Sequence, residues 1–215
     1  EYTIGLVLAL AKNFLLYDSE LRSGNFGIRA TFGMDVQDKV IGIVGAGAIG
    51  KLVARKASLG FGMKIIEYRR HIDKLKSGEN VEVTNDLDYL LKNSDFVSLH
   101  VPLTESTRHM IGKRELSLMK KSAFLINTAR GEVVDDKALV YALSSGEIKG
   151  AAVDVYAGEV PSKDNPLFKL KNVIVSPHTA AHTREAMVRM SLCPAIGIHE
   201  VLSGKKPSWP VNRIA

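Results

Sequence analysis

The amino-acid sequence predicts an α/β fold in which a parallel sheet carries helices on both faces. Short β-branched apolar runs alternate along the chain with segments of helical periodicity. The first of these runs, residues 39–44, ends in a glycine-rich turn that opens a helix. Strand–helix alternation favours βαβ units, in which the strands lie parallel and the helices cover the sheet. Ligands of such sheets bind at the carboxyl ends of the strands, where the strand order reverses.

Each element has its own local signal. Apolar runs bounded by turn residues predict strands at residues 39–44, 63–68, 81–83, 95–101, 123–128, 150–156 and 172–176. Capping and stop residues predict helices at 48–60 with a stop at Gly60, at 86–93 with a cap at Asn85, at 114–121 and at 135–146. The chain opens on a helix followed by a loop at 24–38, and a last helix is expected at 183–204, which Pro194 should kink or split.

Composition and charge are those of an ordinary globular protein. Of the 215 residues, 46% are hydrophobic and 24% charged, and the formal net charge is +6. Basic residues are interspersed with acidic ones, so we expect no nucleic-acid partner. No apolar run is long enough to span a membrane, and no cysteine–histidine cluster has metal-ligand spacing, so we expect neither membrane insertion nor a bound metal. The single cysteine, Cys193, cannot form an internal disulfide, which fits a cytoplasmic location.

The segment "GIVGAGAIG" places Gly45, Gly47 and Gly50 in the order G-x-G-x-x-G after a strand and before a helix. In a dinucleotide-binding turn, the first glycine permits the tight turn, the second lets the backbone approach a diphosphate, and the third lets the helix pack on the strand. The first helical residues, Ala48 and Ile49, then offer free N–H groups to the phosphates. The sequence therefore predicts a Rossmann-type, doubly wound sheet that binds a dinucleotide.

The segment "IIEYRR" decides which dinucleotide is expected. An acid that binds the adenosine ribose usually stands about 20 residues after the first glycines; here Arg69 takes that place and Arg70 follows. A guanidinium binds a 2′-phosphate, which a carboxylate would repel. The sequence thus favours NADP. The alternative is NAD, with both arginines facing water and Glu67 holding a plain ribose.

Five motifs in order give the chain a family resemblance: "VIGIVGAGAIG", "LHVPLTESTRHMI", "LINTARGEVVDDKAL", "GAAVDVYAGE" and "NVIVSPHTAAHT". Together they closely resemble the NAD(P)-binding domain of the D-isomer-specific 2-hydroxyacid dehydrogenases, which include phosphoglycerate dehydrogenases and glyoxylate/hydroxypyruvate reductases. The resemblance implies hydride transfer between NAD(P)(H) and a small D-2-hydroxy or 2-oxo acid. It also implies a homodimer formed through this domain.

By that resemblance, three residues carry the chemistry. Arg130 would bind the carboxylate and carbonyl of a 2-oxo acid, for which its planar fork is suited. His178 would be the general acid–base, because histidine exchanges protons near neutral pH. Glu159 would hydrogen-bond His178 and fix its tautomer, although Val160 here separates that glutamate from a proline that usually follows it directly. His182 is a weaker competitor of His178.

The remaining cofactor contacts are also implied by the resemblance. Asp154 resembles the acid that accepts a hydrogen bond from the nicotinamide carboxamide. Residues of the loop after the fourth strand would lie beside the adenosine, with His100 structural or peripheral, and the "NTAR" turn would bring backbone near the nicotinamide. These further candidates are His100, Val101, Pro102, Thr107, Thr128 and Ala129.

The resemblance also predicts the domain organisation. We expect a dinucleotide-binding domain over residues 1–185, with an opening linker helix, and a helix and tail over 186–215 that would return to a substrate domain. The N-terminal part of that substrate domain is expected to be absent from this chain, which would then turn over substrate weakly or not at all by itself. A non-catalytic, dinucleotide-sensing protein of the corepressor type is the alternative function.

Overall fold

A computed structural model describes residues 1–70, 80–158 and 160–210. Seven strands form one parallel sheet: β1 (Val40–Val44), β2 (Lys64–Tyr68), β3 (Val81–Thr84), β4 (Phe96–Leu99), β5 (Phe124–Asn127), β6 (Gly150–Val153) and β7 (Val173–Val175). Their order is β3-β2-β1-β4-β5-β6-β7, and every neighbouring pair is parallel. The chain builds outward from β1 in one direction and then, from β4, in the other. The predicted doubly wound sheet is confirmed, and its strand order reverses between β1 and β4.

The described residues form seven helices: α1 (Tyr2–Ala11), α2 (Phe14–Arg22), α3 (Ala48–Phe61), α4 (Leu87–Asn93), α5 (Lys113–Leu118), α6 (Asp136–Ser144) and α7 (Arg184–Leu202). One core packs residues of α1 and α3 against one face, where the rings of Phe96 and Phe124 stack with centroids 5.4 Å apart. The other core packs residues of α4, α5 and α6 against the opposite face. Alternate residues of each strand face the two cores, as the twofold repeat of a strand requires.

Several predicted boundaries are wrong by a few residues. Helix α3 continues past Gly60 to Phe61 and is closed by the C-cap residue Gly62, whose backbone is left-handed (φ 61°). Helix α4 is capped by Asp86, whose carboxylate accepts from the Tyr89 N–H at 3.0 Å, and not by Asn85. The expected loop at 24–38 contains a short 3₁₀ turn, Phe26–Ala30.

Two helices differ in continuity from the prediction. The opening helical segment breaks into α1 and α2 at Asn13, which is left-handed (φ 54°). Helix α7 does not split at Pro194 but runs through it as one element, and the Thr183 hydroxyl caps it by accepting from the Ala186 N–H at 3.1 Å. The chain divides into two compact units, the first ending at His178 and the second starting at Thr179. The role foreseen for residues 186–215 stays a prediction.

Candidate dinucleotide and substrate site

The sequence-predicted site residues follow the carboxyl ends of the strands. Because all strands are parallel, these ends lie along one edge of the sheet. Gly45 follows β1, Thr128 follows β5 and Asp154 follows β6. His178 comes three residues after the end of β7. Residues that are up to 133 positions apart in sequence are thus brought to one edge by topology alone.

The glycine turn after β1 has the geometry that its spacing predicts. Gly45 is left-handed (φ 100°), and a Cβ there would lie 2.7 Å from the His100 carbonyl oxygen. A Cβ at Gly50 would lie 2.2 Å from the Gly45 carbonyl oxygen and 3.0 Å from Ile43 Cγ2. The contacts of 2.7 and 2.2 Å with carbonyl oxygens are closer than real Cβ atoms allow, so Gly45 and Gly50 are required by the backbone itself. The turn is therefore held in place by β4 on one side and by α3 on the other.

The start of α3 is open toward this edge. Gly47 is the N-cap, and a Cβ there would meet no atom within 4 Å. No side chain of the described residues caps the helix, and Ala48 and Ile49 in its first turn are exposed. A helix of 14 residues presents a partial positive charge and free N–H groups at such an end. The residues present therefore fit the diphosphate of a dinucleotide.

The end of β2 carries a partly buried ion pair between Glu67 and Arg69. Glu67 is buried, and its Oε2 accepts from Arg69 Nη2 at 2.5 Å. The Arg69 side chain is only 19% exposed, so this guanidinium does not simply face water. Arg70 is exposed, and its Nη2 donates to Ser106 Oγ at 2.8 Å. That contact links the end of β2 to the loop after β4 and so reaches across the end of β1.

The loop after β4 is held by its own hydrogen bonds. The buried Thr107 hydroxyl donates to the Pro102 carbonyl at 2.6 Å and accepts from the Thr104 N–H at 2.8 Å. These two hydrogen bonds stabilise the conformation of the loop. Val101 packs against the core, and a Cβ at Gly45 would come within 2.8 Å of its Cγ1.

His100 lies where β4 ends, and its ring Nε2 is 2.9 Å from Ser98 Oγ. Burial lowers the His100 pKa to about 4, because desolvation disfavours the imidazolium form. The ring is therefore neutral at physiological pH. The structural or peripheral role of His100 stays a prediction.

The turn after β5 presents Arg130. Asn127, which is 2% exposed, accepts from the Ala129 N–H at 3.1 Å and donates to the Arg130 carbonyl at 2.9 Å. Arg130 is exposed, and its Nη1 donates to the Ala129 carbonyl at 2.7 Å. Within the described part of the chain it forms no ion pair. Its guanidinium can therefore receive an anion, while the Thr128 hydroxyl lies 3.2 Å from that of Thr3 in α1.

Asp154 and His178 follow the last two strands. Asp154 is fully buried, and its Oδ1 accepts from Ser176 Oγ at 2.5 Å. The Tyr156 hydroxyl donates to the Ser176 carbonyl at 3.1 Å, which ties the segment after β6 to the end of β7. His178 is exposed and has a left-handed backbone (φ 57°). Such a conformation is uncommon outside glycine, and residues held in it are often found at functional sites.

The two remaining candidates are Glu159 and His182, the weaker competitor of His178. Glu159 lies outside the described residues, so its predicted bond to His178 stays a prediction. His182 belongs to the second unit, in the turn before α7. Over residues 1–70, 80–158 and 160–210, no group of three or more histidine, cysteine or acidic residues could hold a metal ion, and none of the helices combines the length and the apolar character of a membrane span.

Sequence reasoning did not single out two residues that build the site. Asn127 closes the Arg130 turn, and Ser176 binds Asp154. Asn127 is the last residue of β5, and Ser176 directly follows β7. A polar residue at the end of an apolar strand is a sequence signal for a functional position. That signal does not reveal which group the side chain binds.

The family model for the D-isomer specific 2-hydroxyacid dehydrogenase NAD binding domain matches residues 4–180. The chain therefore belongs to this family, whose members are dehydrogenases, and the predicted resemblance is confirmed.

Two relatives illustrate the breadth of the family. The chain is 42% identical over 213 residues to a D-3-phosphoglycerate dehydrogenase of Methanocaldococcus jannaschii, covering 99% of this chain and 40% of the relative. It is 43% identical over 219 residues to a glyoxylate reductase of Thermofilum pendens, covering 99% of this chain and 64% of the relative. The chain thus spans less than two thirds of these relatives.

Solved structures share the fold and were obtained with two different cofactors. An acyclic imino acid reductase in complex with NADPH and D-Arg superposes with a TM-score of 0.85 at 33% identity, over 99% of this chain and 66% of that chain. A D-lactate dehydrogenase with NAD+ from Lactobacillus jensenii superposes with a TM-score of 0.85 at 30% identity, over 98% of this chain and 67% of that chain. The fold therefore serves NADPH and NAD+ alike, and the chain is identified as an NAD(P)-binding domain.

Proposed function

We propose that the protein containing this chain transfers a hydride reversibly between NAD(P)(H) and a small D-2-hydroxy or 2-oxo acid, such as glyoxylate, hydroxypyruvate or a phosphohydroxypyruvate-like acid. The observation that supports this most is that the glycine turn, Arg130, Asp154 and His178 all follow carboxyl ends of parallel strands. The relatives reported above are dehydrogenases and reductases. They give no support to the corepressor alternative.

The dinucleotide would be held by the backbone at the start of α3. The N–H groups of Ala48 and Ile49 would bind its diphosphate, and Gly47 would leave the space that the phosphates need. The nicotinamide supplies the hydride when the dinucleotide is bound. Asp154 would accept from the carboxamide, and the neighbouring Ser176 hydroxyl already fixes one oxygen of its carboxylate.

The chain's own side chains would bind and protonate the substrate. Arg130, which forms no ion pair within the described residues, would bind the carboxylate of the 2-oxo acid in a bidentate manner. His178 would donate a proton to the carbonyl oxygen as carbon accepts the hydride, so that the ketone becomes an alcohol. Glu159 would hold the imidazole in the required tautomer and stabilise its protonated form.

We propose NADP(H) as the preferred cofactor, with NAD(H) as the alternative. Glu67 supports this, because one of its carboxylate oxygens is bound by Arg69 and is not free to bind a ribose diol. Glu67, Arg69 and Arg70 together carry a net single positive charge, which attracts a 2′-phosphate.

We also propose a homodimer in the cytoplasm. The apolar side chains of α2, of the following 3₁₀ turn and of the segment just after it support self-association, because Phe14, Leu15, Leu21, Phe26 and Phe32 are all more than half exposed. Patches of this kind commonly mark protein interfaces. The single cysteine supports a reducing compartment.

Turnover by a histidine variant tests the proposed activity. The full-length protein that contains this chain is assayed with glyoxylate, hydroxypyruvate and 3-phosphohydroxypyruvate. His178→Ala should abolish turnover and leave dinucleotide affinity nearly unchanged, because the imidazole acts on the substrate. His182→Ala is the matched control and should remain active. A fully active His178→Ala protein would refute the assignment.

A further inference from the structure

Glu67 is an acid at an unusual place in the sheet. It lies inside β2, opposite Ile43 of β1 and Val83 of β3, and it is 5% exposed. A carboxylate buried between two strands is costly unless a positive group is bound to it. Arg69 provides that group, with Nη2 at 2.5 Å from Glu67 Oε2. The two side chains therefore form an ion pair at the end of β2 in which Glu67 is buried and Arg69 is partly buried.

The Nε–H edge of the Arg69 guanidinium makes no hydrogen bond to the described residues. Its Nε is buried and has no hydrogen-bond partner among the described residues. An unsatisfied buried donor costs about 1–3 kcal/mol, so an acceptor that reaches this edge is favoured. In a doubly wound sheet, the end of the second strand is where the adenosine ribose is bound.

The charge on Glu67 opposes a second anion at the same place. Because Glu67 already neutralises Arg69, a 2′-phosphate would be attracted mainly by the exposed Arg70 and repelled by the buried carboxylate. A 2′-hydroxyl carries no charge and experiences no such repulsion. Glu67 therefore weakens phosphate binding more than hydroxyl binding.

We propose that Glu67 is a specificity-determining residue that acts through Arg69 as an internal counter-ion. It weakens, without abolishing, the preference for a ribose 2′-phosphate over a 2′-hydroxyl that Arg69 and Arg70 create, so that the site binds NADH as well as NADPH but binds NADPH more tightly. This inference rests on the proposed function, because it takes the end of β2 as the ribose site.

The test removes the charge and keeps the shape. In Glu67→Gln, the amide oxygen can still accept from Arg69 Nη2. Calorimetry on the full-length protein compares adenosine 2′,5′-bisphosphate with adenosine 5′-monophosphate. The bisphosphate should bind to Glu67→Gln about tenfold more tightly than to the wild type, which corresponds to about 1.4 kcal/mol. This gain in affinity should shrink as the salt concentration is raised. The monophosphate should stay within about twofold.

A matched control removes the same charge from the neighbouring strand. Glu82 pairs with Ile66 in the sheet, is exposed, and contacts the Tyr89 hydroxyl. Glu82→Gln should leave both affinities unchanged. Glu67→Ala is a second variant that must change the bisphosphate to monophosphate ratio in the same direction, and circular dichroism verifies that each variant is folded.

The outcomes separate this inference from the proposed function. If Glu67→Gln leaves the ratio unchanged, or weakens the bisphosphate, the inference is wrong and the proposed function stands. If Glu67→Gln does not fold, the ratio of bisphosphate to monophosphate affinity in Glu67→Ala is judged by the same criterion. If both variants unfold, Glu67 is needed for folding and the counter-ion role is rejected. If the wild-type protein binds neither nucleotide nor NAD(P)H, the proposed function itself fails.

Discussion

Replacing Gly50 by alanine should move helix α3 away from β1. A Cβ at Gly50 would lie 2.2 Å from the Gly45 carbonyl oxygen and 3.0 Å from Ile43 Cγ2. Neither neighbour is the end of a flexible side chain, because one is backbone and the other is a branched side chain in the core. The start of the helix must therefore shift by about 1 Å to reach ordinary van der Waals separation.

The size of the effect follows from two opposing contributions. Overpacking costs about 1–3 kcal/mol or more, while alanine gains up to about 1 kcal/mol over glycine in helix propensity. We expect a net loss of about 2 kcal/mol in the free energy of unfolding, or about 4–8 °C in Tm for a unit of this size. Gly60→Ala in the same helix is the control: its Cβ meets no atom within 4 Å, so it should stabilise by up to about 1 kcal/mol.

The assay combines thermal unfolding by circular dichroism with a fluorescence titration of NADPH. Gly50→Ala should lower both Tm and affinity, because the shifted helix no longer presents its N–H groups correctly. Gly47→Ala should cost at most about 1 kcal/mol as a poorer N-cap, yet weaken binding at least tenfold, since its methyl group would fill space that the phosphates need. A Gly50→Ala protein with unchanged Tm and affinity refutes the packing argument. Unchanged affinity in Gly47→Ala refutes the diphosphate site.

Two further predictions concern buried polar side chains. Asn127→Leu should lower the free energy of unfolding by about 2–3 kcal/mol, because the buried Ala129 N–H loses its acceptor and the Arg130 carbonyl its donor; an unchanged denaturant midpoint would contradict this. His100 should make stability depend on pH: its pKa is about 4 in the folded chain and near 6.5 when unfolded, so the unfolded chain binds more protons between these values. The free energy of unfolding should therefore have its full value above about pH 6.5 and fall by about 3 kcal/mol as the pH drops toward 4. His100→Gln should flatten that dependence in denaturant titrations at several pH values, and an equally steep curve would exclude His100 as its source.

The fold was largely predictable because its signals are local. Each βαβ unit carries its own apolar run, turn residues and amphipathic helix, and the parallel arrangement follows from their alternation. The errors lie at boundaries where neighbouring residues compete for the same role. Gly60 and Gly62 could both end α3, and the structure selects Gly62. Asn85 and Asp86 could both cap α4, and Asp86 makes the bond.

The candidate site was predictable in its positions and less so in its contacts. The sequence by itself determined the glycine turn, because Gly45, Gly47 and Gly50 act within a single strand–turn–helix unit whose spacing is visible in the chain. The tertiary structure decided that Glu67 and Arg69 form a partly buried ion pair, that Asn127 closes the Arg130 turn, and that Ser176 binds Asp154. The physical reason is that burial and side-chain direction depend on which strands are neighbours. Spacing along one strand can place two side chains on the same face of the sheet. Only the packed sheet removes water from around them, and a charge that has lost water is stable only when it binds an opposite charge.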